Sequence, residues 1–196
     1  DVKSNLRVLE VGAGTGSATL PVFEELSRGG ERLPDGFSFT YTDISSGFFE
    51  KAREKLGKWS KYITYKKLDI SKDPVQQGFA VEDYDLVIAS NVLHATPNMA
   101  NTIDHVRSLL KPNGKLILLE ACQHAPLILP FALLPGWWLA EDGYRSPEDG
   151  PLLSKQSWNR LLTEHGFSGL DCTIPAYPDE RLNIMNVLTT RSVGTV

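Results

Sequence analysis

The residues best suited to chemistry in this sequence are one histidine and one glutamate, each just beyond an apolar run. His94 follows residues 84–90, and Glu120 directly follows residues 116–119. A neutral imidazole accepts a proton near neutral pH. A carboxylate hydrogen-bonded to one ring nitrogen orients the other and stabilises the ring once it is protonated. Such a pair suits removal of a proton from an acidic carbon beside carbonyl groups. A packing or capping role for His94, and simple solvation of a strand end by Glu120, are the alternatives.

A second set of residues suits ligand binding. Val8-Leu9-Glu10-Val11-Gly12-Ala13-Gly14-Thr15-Gly16 joins a strand-like run to a glycine-rich turn, where backbone N–H groups can approach a ligand closely. Glu10, Gly12, Ala13, Gly14 and Gly16 are its candidate residues; a turn built for tight packing is the alternative. Asp43, with Ile44 beside it, ends the second run, and a carboxylate there can accept two hydroxyl hydrogen bonds from a ribose. The third glycine stands one position earlier than in the dinucleotide fingerprint, which weakens a nicotinamide reading. Asp69 and Ile70 end the third run and offer a carboxylate and an apolar face to an adenine, a turn cap being the alternative for Asp69. Asn91 ends the fourth.

These strand ends meet only in a particular fold. Residues 7–11, 37–42, 62–68 and 84–90 are β-rich, each followed by a helical pattern or helix-initiating signal, so a mostly parallel sheet covered on both faces is expected. Residues 86–89 are apolar without alternation, as a central strand should be, and residues 116–119 repeat the pattern. If strand order reverses beside the first strand, all the candidate residues face one crevice outside the carboxyl ends. Phe48, Ala52 and Leu56 mark one covering helix; Ile103, Val106, Leu109 and Leu110 mark another. Pro21 requires the first helix to begin close before it or to bend. Trp158, Leu161, Leu162 and His165 mark a later helix, with Ser154 as N-cap and Gly166 as stop. Residues 169–174 and 183–189 read as two last strands, an antiparallel addition. Between them and the fifth strand, residues 121–153 form a cover segment with Pro126, Pro130, Pro135 and Pro147, Trp137 and Trp138, and the acidic pair Glu141 and Asp142. It either walls a cleft or shields a sheet edge.

Composition narrows the function. With 196 residues and 41% hydrophobic content, one domain spanning 1–196 is expected. Twenty basic against 24 acidic residues, without a block of either sign, argue against a nucleic-acid partner. Two cysteines, Cys122 and Cys172, make neither a disulfide scaffold nor a cysteine metal site, and His105, His124 and His165 join them in no metal-ligand pattern. A reducing, cytoplasmic setting is expected. The apolar run 127–134 is broken by Pro130 and stopped by Pro135, too short for the roughly 20 residues of a membrane span. Residues 1–5 carry no signal-like segment and run at once into strand, as in a chain cut from something larger.

The sequence resembles the C-methyltransferase domain of fungal highly reducing iterative polyketide synthases, multifunctional enzymes of secondary metabolism. The resemblance lies in the glycine loop, in Tyr41-Thr42-Asp43-Ile44-Ser45, in Leu68-Asp69-Ile70 and in Ala89-Ser90-Asn91-Val92-Leu93-His94-Ala95-Thr96. It continues through Leu110-Lys111-Pro112-Asn113-Gly114-Lys115 and Leu134-Pro135-Gly136-Trp137-Trp138. It implies a class I S-adenosylmethionine-dependent methyltransferase: a Rossmann-like, mostly parallel seven-stranded sheet with an antiparallel C-terminal strand. It further implies methylation of the α-carbon of a β-ketoacyl thioester on an acyl carrier protein, beside adjoining synthase domains. Under it, the glycine loop shapes the cofactor site, Asp43 meets the ribose, Asp69 lies near adenine, and His94 with Glu120 removes the proton. Trp137 and Trp138 line or buttress the acyl cavity. No metal is called for, because a methyl sulfonium already carries its leaving group. Asn113 stands where glycine is usual, in a turn asparagine tolerates. Complete domains of this type carry an N-terminal subdomain that helps form the substrate chamber, and residues 1–196 are expected to be the core without it. An O-methyltransferase acting on a small molecule and a catalytically incompetent cofactor-binding fragment of a megasynthase are the competing functions.

Overall fold

A computed structural model describes residues 5–28, 33–122, 126–134, 137–145, 150–179 and 183–193. His124 and, within the cover segment, Pro135, Gly136 and Pro147 lie outside the described residues. Seven strands, β1 (Arg7–Val11), β2 (Ser38–Asp43), β3 (Ile63–Lys67), β4 (Tyr84–Ser90), β5 (Leu110–Ala121), β6 (Cys172–Pro175) and β7 (Met185–Arg191), form one sheet in the order β3-β2-β1-β4-β5-β7-β6. The first five pair in parallel. β7 runs antiparallel to β5 and to β6, so it alone opposes the rest. Strand order reverses between β1 and β4, which opens the expected crevice at their carboxyl ends.

Alternating side chains divide the core in two. On one face Leu9, Val11, Val87, Ala89, Leu116 and Leu118 pack with Ile103, Val106 and Leu109 of α3 (Met99–Leu109) and Trp158, Leu161 and Leu162 of α4 (Lys155–Glu164). On the other Val8, Phe39, Tyr41 and Ile88 pack with Phe23 of α1 (Thr19–Leu26) and with Phe49 and Ala52 of α2 (Phe49–Lys55). The helix signals act locally. α1 begins two residues before Pro21, where a missing N–H is harmless. Asn98 and Ser154 cap α3 and α4 by accepting the N–H of Asn101 and Ser157. Gly166 follows α4 with φ 77°, and Asn113 takes its turn at φ 63°.

The expected stripe of Phe48, Ala52 and Leu56 is displaced. A 3-10 turn over Ser46–Phe48 precedes α2, leaving Phe48 exposed, and Phe49 joins Ala52 and Leu56 in the core. Among the described residues no helix is long and apolar enough to cross a membrane.

Trp158 anchors the α4 face. It is fully buried, and its indole N–H is without a hydrogen-bond partner among the described residues. Trp158→Ala is expected to destabilise by about 3–5 kcal/mol, whereas Trp158→Phe, which also removes the unpaired donor, loses less. Urea denaturation of both variants checks this; a loss in Trp158→Phe as large as that in Trp158→Ala would overturn it.

Candidate active site

Three strand ends and the turn after β1 build the first cavity. Gly12 turns there at φ 63°, and a Cβ added to it would lie 2.3 Å from the Val92 side chain, so glycine alone fits between β1 and the loop after β4. The Ala13 N–H donates to Thr42 O (2.9 Å), and the Tyr41 hydroxyl donates to Gly14 O (2.7 Å). Burial, with the Glu10 carboxyl nearby, keeps that phenol protonated far above its usual range. Asp43, itself buried, ties two loops: Oδ2 accepts the Gly14 N–H (2.9 Å) and Oδ1 the Ser45 N–H (2.9 Å). Each carboxylate oxygen retains acceptor capacity for a hydroxyl.

At the end of β3 the backbone of Asp69 is bracketed by the Gln77 amide, its N–H donating to Oε1 (2.8 Å) and its carbonyl accepting from Nε2 (2.8 Å). Burial raises the Asp69 carboxyl. The Ser71 hydroxyl (2.6 Å) and N–H (3.1 Å), with the Lys72 ammonium (3.1 Å), outweigh that and hold it below the usual range. His105 of α3 bonds Ile70 O through Nδ1 (2.8 Å) and steadies the same strand end. Gly12, Asp43, Ile44, Asp69, Ile70 and Asn91 thus line one cavity of about 340 Å³, with Thr96 and with Ser71, Pro97 and Leu139, the last three contributing walls that no sequence motif marked.

Glu10 is placed elsewhere. On β1 it alternates with Leu9 and Val11, so its side chain lies behind the loop and out of the cavity, 1% exposed, accepting the Thr19 hydroxyl (2.5 Å). It supports the turn instead of lining the site. Ala13, Gly14 and Gly16 likewise shape the loop without lining the cavity.

His94 and Glu120 are brought together at the ends of β4 and β5. Oε2 of the fully buried Glu120 bonds His94 Nδ1 (2.7 Å), while Oε1 accepts the N–H groups of Val92 (3.3 Å) and Leu93 (3.2 Å). With Nδ1 donating to the carboxylate, Nε2 is left for the second cavity, about 560 Å³ and mainly apolar, which His94 lines. Phe131, Leu134, Trp137, Leu152 and Met185 form much of its wall. The Trp137 ring lies 6.2 Å from that of His94 at 64°. Trp138 departs from its expected place: it is exposed, absent from this wall, and donates its indole N–H to Ala132 O (3.0 Å). Asn91 and Ala95 line both cavities, so the two adjoin. Among the described residues no group of three or more histidine, cysteine or acidic side chains gathers as metal ligands.

The strand order, with its switch point between β1 and β4 and its reversed seventh strand, is that of the class I S-adenosylmethionine-dependent methyltransferases. The chain belongs to the methyltransferase domain family, whose model matches residues 9–116. It is similar to the highly reducing polyketide synthase Preu5 of Preussia isomera, 51% identical over 99% of this chain, and spans about 8% of that relative's length. It is also similar to the solved CurJ carbon methyltransferase (TM-score 0.85, 37% identity), covering 99% of this chain and 50% of the other. The trans-methyltransferase CalH, solved in complex with SAH, matches with TM-score 0.85 and 40% identity over 96% of this chain and 52% of its own.

Burial pushes the Glu10 carboxyl up from its ordinary 4.5 to about 7, against the lowering effect of the Thr19 hydrogen bond. The folded state therefore favours the protonated form. Its contribution to stability is complete below the unfolded value and is lost as pH rises through about 7. Glu10→Gln, which keeps an acceptor for Thr19, is expected to remove this dependence and to exceed the native chain in stability by on the order of 3 kcal/mol above that window. Denaturation midpoints on either side of the window measure it; a constant gap between the two proteins would place Glu10 in contact with solvent.

Proposed function

We propose that this chain is the core of a carbon methyltransferase that methylates the α-carbon of a β-ketoacyl thioester presented by an acyl carrier protein. The observation that supports this most is a histidine, backed by a buried carboxylate, lining an apolar cavity that shares a wall with a cavity of glycine, carboxylate and apolar groups. The first cavity suits S-adenosylmethionine: Asp43 for the ribose hydroxyls, Asp69 near the adenine, Ile44 and Ile70 for its faces, and Gly12 for close backbone approach. When bound, S-adenosylmethionine supplies an electrophilic methyl group. The mainly apolar lining around His94 suits an acyl chain better than a small polar alcohol.

In this reading His94 Nε2 takes the α-proton, activated by the flanking carbonyls. The C–H electron pair remains on the substrate as an enolate whose carbon is the nucleophile. Glu120 keeps the proton of the neutral ring on Nδ1 and opposes the positive charge that develops on the imidazolium. Exclusion of water by Trp137, Leu152 and Met185 strengthens that interaction. The described residues of 121–153 act as cover, and the exposure of Phe131, Leu133, Leu134 and Trp138 supports a chamber completed by an N-terminal subdomain beyond this core. The proposed setting is the cytoplasm, within a synthase whose adjoining domains deliver the carrier.

Gly12→Val is expected to abolish calorimetric binding of S-adenosylmethionine by a folded chain, since a branched side chain meets Val92 and a positive φ together. Native affinity would remove Gly12 from the cofactor site.

His94→Ala, tested in the complete domain, is expected to retain cofactor binding but to lower methyl transfer roughly 100-fold or more. Exchange of the substrate's α-hydrogen in deuterated water should fall with it. Near-native exchange and methylation would reject His94 as the base, and a methyl group found on oxygen would reject the carbon assignment.

A further inference from the structure

The loop that carries His94 is held from two sides by opposite charges, and only one of them belongs to the proposed catalytic pair. Leu93–Ala95 is a single 3-10 turn, entered through Asn91 at φ 50° and Val92 at φ −132°, ψ −41°. So short a turn has weak internal bonding and leaves its terminal N–H and C=O groups to outside partners. Glu120 takes the N–H groups of Val92 and Leu93. Arg145 takes the carbonyls: Nη1 donates to His94 O (2.8 Å), and Nη2 to Thr96 O (2.7 Å) and Pro97 O (2.8 Å). The same guanidinium meets Asp142 Oδ2 through Nη2 (2.6 Å) and Nε (3.1 Å). Asp142 in turn accepts the N–H of Met99, the first residue of α3 (2.8 Å), and those of Tyr144 (3.0 Å) and Arg145 (3.2 Å).

Both side chains are almost completely removed from water, at 0% and 2% exposure. An isolated buried ion pair is a poor source of stability compared with apolar packing. What this pair achieves is geometric. Three carbonyls that converge on one point need several N–H donors in a fixed plane, which arginine alone offers; the ammonium of lysine is a point charge. The anchored segment also brings Trp137 to the larger cavity and Leu139 to the smaller, and Glu141 N–H donates to Pro97 O (2.8 Å). The clamp therefore joins the cover segment to the wall that both cavities share.

We infer that Arg145, backed by Asp142, is a positioning residue that fixes the backbone of residues 94–97 so that His94 Nε2 faces the substrate cavity. The inference rests on the reading of His94 as the base. In Arg145→Lys the charge stays and the planar fork is lost. In the complete domain, kcat for methyl transfer is expected to fall about 100-fold, the scale of a misplaced catalytic group, with KM changed far less. Amide exchange at Val92, Leu93 and Met99 should quicken, and the NMR signal of the His94 Nδ1 proton bonded to Glu120 should weaken or move. Asp142→Asn, nearly the same in shape, is expected to give the same pattern more mildly, and it decides the matter if Arg145→Lys does not fold. Native kcat in either folded variant overturns the inference, whether or not the loop loosens; so does a lowered kcat with native exchange and a native Nδ1 signal. Failure of the base reading shows separately, as normal turnover in His94→Ala.

Discussion

The carboxylate of Glu120 is the interaction on which the site depends. It is fully buried at the end of β5, and its two oxygens accept from the His94 ring and from two backbone N–H groups of the turn after β4. A charged group withdrawn from water needs all of its acceptors engaged, and here engagement fixes the turn and the imidazole with one side chain. β4 and β5 deliver it because they are parallel neighbours, with Ser90 opposite Leu119 in register. Residues 91–97 then inherit their conformation from this contact and from the guanidinium on their other side. The left-handed Asn91 is held by the same frame, its N–H donating to Leu119 O (2.8 Å).

At the cavity that Gly12 lines, Asp43 does a comparable task. Its carboxylate spans the glycine turn and the turn after β2 and so fixes the two loops against each other. Ordering a loop on binding would subtract from affinity. Tyr41 and Glu10 reinforce the turn from beneath, which explains why a buried acid persists so near the crevice without facing it.

Much of this was legible in sequence because the signals are local. A glycine turn after a strand, a carboxylate at each of two strand ends, and caps at Ser154 and Gly166 each declare themselves within a few residues, and the structure places them as expected. The meeting of His94 with Glu120 was legible once β4 and β5 were read as neighbours. The orientation of Glu10 was available too: strict alternation with Leu9 and Val11 sends it to the α1 face. Phe48 misled because a 3-10 turn shifts the helical phase by one residue, and period alone does not reveal that. Arg145 gave no signal, since it acts on carbonyls 48 to 51 residues away that every residue possesses. The different fates of Trp137 and Trp138 turn on the path of an irregular segment, which apolar composition does not encode.

The wall of residues shared by the two cavities has a thermodynamic consequence. Asn91 and Ala95 present surface to both, so the two occupants are linked through one piece of backbone. Any free energy that one ligand contributes to ordering this wall is available to the other, and by reciprocity the effect is equal in both directions. Under the proposed function those occupants are the acyl chain and the methyl donor, and each would raise the affinity for the other to the same degree. Such a partition would favour the ternary complex over either binary one.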